Sequence, residues 1–318
     1  MSYFFQKNQP IIEMKSLLKE VFMTTSTPKK FAVLLKPRPS QPALDRAAQY
    51  ARMNSDFEIV AVRVINEYAE TDDKDQIKVK EEAEFERIRR SYSIDNISFK
   101  LIFNHDVAEG FIKECSEGGY DLAVISANKR NAIKDLFISN IDSTIMRKSE
   151  VPVLVVREAA GESVLGGAVV LAIDFLEVAH SKKLDEYLFK SASSFAQSFD
   201  GELHVANCIV PHNAGTMRGN ISESRIVGGG IASPQDVTNQ LAEEFSKKHG
   251  VPLDHVHVLQ GRVDEEIPRL CKKLNARMVC MGTTPRSSFF GSVNSSASEL
   301  VLDQIHGDVF IVNAATLK

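Results

Sequence analysis

Cysteine, surplus positive charge and long apolar runs are all scarce in this sequence, and each shortage removes a class of protein. The four cysteines, Cys115, Cys208, Cys271 and Cys280, lie far apart and form no CxxC pair. In apolar or helical surroundings they read as buried free thiols, which fits a reducing compartment. Lys and Arg number 38 against 42 Asp and Glu, a net charge of −4. Nothing is left over to hold a polyanion, so no nucleic-acid partner is expected. The longest apolar stretch, Ala168 to Ile173, ends at Asp174, far short of the ~20 residues that cross a bilayer. Met1 to Lys15 carries no apolar stretch of the kind a secretion signal needs. A cytoplasmic chain with no membrane partner is the expectation. G-x-S-x-G, HExxH and GxxxxGK followed by Ser or Thr are absent as well, which disfavours serine hydrolases, zinc proteases and P-loop enzymes.

What is present is enough for two domains. The 318 residues are about twice the ~150 of a single domain. Apolar residues make up 43% and charged residues 25%, with 17 Gly and 11 Pro, the balance of an ordinary globular chain and not of a collagenous or disordered one. Residues 1–28 differ from the rest. Ile11, Met14, Leu18 and Val21 recur at helical spacing before a Thr, Ser and Pro run from Thr24 to Pro28. They read as a flexible extension, with Met1 and Met23 both open as the true start.

From Lys29 onward, apolar runs rich in β-branched residues alternate with longer amphipathic or charged stretches, the pattern of βαβ units in a parallel sheet. The pattern runs twice. Phe31 to Leu35 matches Val169 to Ile173 at an offset of 138, and Ile59 matches Leu203 at 144. Leu101–Phe103 matches His257–Leu259 at 156, and that offset holds for Val124 with Cys280 and for Val155 with Ile311. The halves, residues 29–157 and 166–315, are therefore one unit used twice, the second lengthened before its third strand. Most of that growth falls in His212 to Ser233, which holds Gly215, Gly219, Gly228, Gly229 and Gly230. This segment reads as a flexible loop, with a lid as the sharper alternative. Ser233 and Pro234 form an N-cap and first-turn pair and Gly250 a C-terminal stop, which predicts a helix over Pro234–His249. The charged stretch Asp72 to Ser91 reads as a solvated helix face.

In such sheets ligands bind beyond the carboxyl ends of the strands, where the strand order reverses, and helix N-termini there offer free N–H groups to phosphate. In the second half the first strand runs into Asp174 and the fourth into Gly282, Thr283, Thr284, Pro285 and Arg286, followed by a Ser-rich turn, Ser292 to Ser298. These pieces, "VVLAIDF", "VCMGTTPRSSF" and "NSSASELVLDQ", with the paired endings "SEVPVLVV" and "HGDVFIV", resemble the tandem universal stress protein family, two-domain E type, from about Lys29 to Ala315. The resemblance implies an α/β fold of two tandem Rossmann-like, HUP-class domains, each a five-stranded parallel sheet with helices on both faces. It also implies, for ATP-binding members, an acidic residue after the first strand and a loop of form G-x2-G-x9-G followed by Ser or Thr around the phosphates.

Carried over position by position, Asp174 matches the acidic residue, Gly282 the first glycine, Arg286 the basic residue and Ser296 the final hydroxyl. Thr283 and Ser295 complete the candidate ligand set, with no catalytic residue and no metal ligand among them. Pro285 and Ser295 stand where the second and third glycines belong, and Pro285 removes an N–H that phosphate would use. In the first half Lys36, Ser126, Lys129, Ser139 and Asn140 replace the acidic residue, the three glycines and the hydroxyl. ATP or another adenine nucleotide is thus expected in the second half only, if at all.

Structural readings stand beside the functional ones. Ser296 with Glu299 fits a capping box, Gly282 a tight turn, and Arg286 a surface cation. A carboxylate set right after a buried run, as Asp174 is, usually needs a partner. His255 and His257 alternate on a strand and share a face; lacking a third ligand in register, they read as structural. The resemblance further implies a non-enzymatic stress-response protein that supports survival of starvation or DNA damage through a small-molecule ligand or partner contacts. A slow ATPase, or a carrier of an apolar ligand between the halves, are the alternatives. Val151–Val156 against Val309–Val312 would make the chain an intramolecular pseudo-dimer, with a homodimer of such chains also open.

Overall fold

The computed structural model describes residues 29–53, 57–92, 94–127, 140–157, 166–175, 182–209, 226–227, 230–231, 233–283, 301, 304–313 and 316. In the first half the order is β1 (Lys29–Leu34), α1 (Pro42–Met53), β2 (Phe57–Ile65), α2 (Lys74–Arg89), β3 (Ile97–Phe103), α3 (Val107–Glu117), β4 (Leu122–Ser126), α4 (Asn140–Lys148) and β5 (Val153–Val156). The second half repeats it as β6 (Ala168–Ala172), α5 (Lys182–Ser198) and β7 (Glu202–Ile209). A short hairpin of β8 (Ile226–Val227) and β9 (Gly230–Ile231) follows, then α6 (Pro234–His249), β10 (Val256–Gln260), α7 (Val263–Leu274), β11 (Met278–Thr283) and β12 (Asp308–Asn313). The glycine-rich segment thus carries a hairpin in its described part; the rest of it and residues 1–28 lie outside the described residues.

The strand order β10-β7-β6-β11-β12-β5-β4-β1-β2-β3 makes one ten-stranded sheet. All neighbours are parallel except β12 and β5, which run antiparallel with Val309 opposite Val155 and Ile311 opposite Val153. The two expected five-stranded sheets therefore merge at their fifth strands. Each half has its switch point between its first and fourth strands, β1 beside β4 and β6 beside β11. Central strands such as β4 are buried on both faces, which is why they read as unbroken apolar runs and not as alternating ones. The paired residues reproduce the offsets of 138, 144 and 156 for the first, second, fourth and fifth strands. In the third strand Val256 lies beside Val205 where Phe99 lies beside Ala61, so the offset there is one residue longer than the sequence reading had it.

One face of the sheet packs against α1, α2, α5 and α6, through Leu44, Ala47, Phe85, Leu188 and Ala192. The other packs against α3, α4 and α7, through Phe111, Ile145, Ile267 and Leu270. Between the halves, Tyr50 of α1 stacks on Phe199 at 5.5 Å and meets Phe195 of α5 at 6.1 Å; within the second half Phe195 meets Phe310 of β12 edge-on at 5.1 Å. Beside them Arg46 Nε approaches the buried Asp308 Oδ2 at 2.7 Å. Burial lifts the Asp308 carboxyl from its ordinary 3.8 to about 6, and Arg46 opposes that rise only in part. Helix α6 starts and ends where the sequence places it: the Ser233 side chain accepts from the Asp236 N–H, Asp236 caps in return, and Gly250 takes φ 67.

Candidate functional site

Asp174 follows β6 directly and is half-buried at the carboxyl end of the second half. Asn207, on the neighbouring β7 and 1% exposed, donates its Nδ2 to the Ile173 carbonyl at 3.1 Å and to Asp174 Oδ1 at 3.4 Å. Its Oδ1 is buried and has no hydrogen-bond partner among the described residues. Thr283, ending β11, stands level with Asp174, two residues beyond the paired Met281 and Ala172. Its Oγ1 is likewise buried without a partner. A buried polar atom left unpaired costs about 1–3 kcal/mol. A polar group bound at this end of the second half would remove that cost.

Gly282 has a different role from the turn expected. It sits inside β11 opposite Val312, and a Cβ there would lie 2.7 Å from Leu184 Cδ2. The missing side chain lets α5 close onto the strand. Arg286, Ser295 and Ser296, with Pro285 and Glu299, lie outside the described residues.

The first half holds different side chains at the same place, and they partner one another or nearby backbone. Lys36 stands where Asp174 does, and its Nζ donates to the Ala127 carbonyl at 3.2 Å. The Lys36 N–H donates to Gln41 Oε1 at 2.9 Å, and Gln41 Nε2 returns to the Lys36 carbonyl at 2.8 Å. Ser126, at the position of Gly282, accepts from the Ala43 N–H at 2.9 Å. A helix N-terminus is a natural anion site; at α1 one of its free N–H groups is already taken by a protein hydroxyl. Burial holds the Lys36 ammonium below its usual range, with the Asp142 carboxylate pulling the other way. The position of Asn207 is held by Arg63, which pairs with Glu81 at 3.0 Å. Between β1, β2 and α2 a cavity of about 240 Å³ remains, lined by Lys36, Arg38, Arg63, Lys80, Glu81 and Glu84 among others.

The model of the Universal stress protein family matches residues 29–157 and again residues 168–313. The chain belongs to the universal stress protein family. Among curated proteins it is similar to the Universal stress protein E homolog of Haemophilus influenzae, 25% identical over 209 residues, which cover 64% of this chain and 66% of that protein. It is similar also to Universal stress protein E of Escherichia coli K12, 24% identical over 220 residues, covering 68% of each. The chain thus spans about two thirds of the length of these relatives. Two solved structures share its fold. One is a universal stress protein of Archaeoglobus fulgidus, 18% identical, covering 89% of this chain and 98% of that one at a TM-score of 0.63. The other is a functionally unknown protein of Pseudomonas aeruginosa PAO1, 20% identical, covering 90% and 92% at a TM-score of 0.66. At these identities the likeness speaks for the fold alone.

Sequence reasoning placed Asp174 and Thr283 at the right end of the sheet and missed Asn207 and Gln41. The signal for Asn207 was an amide near the end of a buried strand, between the apolar Val205–Ala206 and Cys208–Ile209. The four cysteines are free, and Cys115, Cys271 and Cys280 are buried. Burial pushes the Cys115, Cys208 and Cys271 thiols up to about 12, so none is a ready nucleophile. Among the described residues no helix is long and apolar enough to cross a membrane. The histidine pair is less isolated than expected: His204, one strand away, lies with Nδ1 3.1 Å from His257 Nε2.

Proposed function

We propose that this universal stress protein supports stress resistance from the cytoplasm by binding, without strong catalysis, and that its ligand is an anionic small molecule of the adenine-nucleotide type held in the second half. The observation that carries this reading is Asp174 beside Asn207, with the Asn207 Oδ1 and Thr283 Oγ1 unpaired, at the switch point where such folds take ligands. Lys36, Gln41 and Ser126 meet one another or nearby backbone in the first half, which supports a single site per chain. The family resemblance supports starvation and DNA damage as the relevant stresses. The antiparallel join of β5 and β12 supports treating the chain as its own pseudo-dimer.

Native mass spectrometry of the purified full chain identifies what it carries: one nucleotide-sized anion per chain is expected, and two per chain would overturn the reading. Hydrolysis is tested separately. Steady Mg²⁺-dependent ATP turnover that Asp174→Ala abolishes would move the protein from binder to slow ATPase.

A further inference from the structure

A second constellation lies at the opposite, amino end of the sheet. Glu202 opens β7, and His204 follows two residues later on the same face. The register places Val205 beside Val256 and Ala206 beside His257; His257 lies on the neighbouring edge strand, while His255, expected on that strand as well, ends the 3-10 turn Leu253–His255 just before it. The ring centroids of His204 and His255 are 4.2 Å apart, and those of His204 and His257 are 5.3 Å apart. One ligand atom from each of Glu202, His204 and His255 lies within 4.8 Å of the others. The matching first-half positions are Glu58, Val60, Ser98 and Lys100, so the cluster belongs to the second half alone.

We propose that Glu202, His204 and His255 bind one divalent transition-metal ion of the zinc class, with solvent completing its shell. The outer hydrogen bonds already suit the task. His255 Nδ1 lies 3.3 Å from the Leu203 carbonyl; a carbonyl only accepts, so Nδ1 carries the proton and Nε2 keeps its lone pair. The Nδ1 of His204 faces His257 Nε2 at 3.1 Å while its Nε2 faces Glu202 Oε2 at 3.7 Å. With Nδ1 donating to His257, the lone pair on His204 Nε2 turns toward the carboxylate. Metal-bound histidines are commonly held by such a bond from the other ring nitrogen. Tetrahedral zinc with bonds of 2.0–2.2 Å sets its ligand atoms about 3.3 Å apart. The His204 to Glu202 contact is within half an ångström of that. The Glu202 side chain is 71% exposed and free to close the difference, while that of His204 is 7% exposed and fixed. The two imidazoles favour zinc, copper or nickel over magnesium or calcium. Besides Glu202, the charged groups near the rings are Asp254 and Lys273.

The test is a titration of the chelator-stripped full chain with zinc chloride, followed by calorimetry, with cobalt as the spectroscopic probe. One zinc per chain is expected, weakened about tenfold or more by Glu202→Gln and by His255→Gln, both at solvent-accessible positions. His257→Gln is expected to cost about 10–100-fold, as outer partners do. His204→Gln should abolish the cobalt spectrum. Because His204 is buried, circular dichroism of that variant accompanies the reading, and the two accessible variants stand independently of it. Absence of zinc binding by the parental chain, or zinc affinity unchanged in both Glu202→Gln and His255→Gln, would overturn the proposal.

Discussion

The two halves share a strand order and place helices on the same faces of the sheet, yet their switch points hold opposite chemistry. The second half places an acid, an amide and a threonine there, Asp174, Asn207 and Thr283. The first places Lys36, Arg63 and Ala127 at the matching positions, and each of its polar groups already meets a partner. A duplicated unit can therefore keep its fold while one copy exchanges the acid and amide of its crevice for cationic side chains that are already paired. The backbone register is set by buried apolar runs common to both copies; the crevice is set by a few polar side chains beyond the strand ends, which substitution changes without touching the core.

The widest test of that division is whether the second half depends on the first. Phe199 is 3% exposed and stacks on Tyr50 of the first half. Phe199→Ala should cost about 3–5 kcal/mol, measured by urea denaturation, and should unfold both halves in one transition. Two separate transitions would show halves that stand alone.

A charge at the same seam gives the next largest effect. Asp308 titrates near 6 in the fold against an ordinary 3.8, while the matching first-half position is Pro152. A carboxyl raised in the folded state binds its proton more tightly there than in the unfolded chain. Its contribution is therefore present in full below about 3.8 and lost as pH rises through about 6. Relative to Asp308→Asn, the parental chain should gain about 2 kcal/mol between pH 7 and pH 4, at ~1.4 kcal/mol per unit. A difference that stays flat over that range would refute the assignment.

Smaller effects separate the switch points themselves. Gly282→Ala drives a methyl into Leu184 and should cost about 1–3 kcal/mol as overpacking. The opposite change in the first half, Ser126→Gly, removes the acceptor of the Ala43 N–H and should cost about 1 kcal/mol. Thermal denaturation compares the two; equal costs would mean that the residues play one structural role in both copies.

Much of the fold was legible because it rests on signals local in the chain. Apolar β-branched runs mark strands buried on both faces, and Ser233, Pro234 and Gly250 bound α6 at the observed residues. The switch-point position of Asp174 followed from the order of the runs. What stayed hidden depends on which residues face each other across parallel strands, and long crossovers leave that unstated. The third-strand offset was one residue short, Asn207 was not linked to Asp174, and His255 and His257 lacked His204. Gly282 was taken for a turn because nothing in the sequence says that Leu184 would press against it.

The most direct test of the difference between the halves is a calorimetric titration of ATP into the parental chain and into Asp174→Lys, which gives the second crevice the charge of the first. One ATP per parental chain, lost in the variant, is the predicted result. Two per chain, none in the parental chain, or full binding by the variant would contradict it.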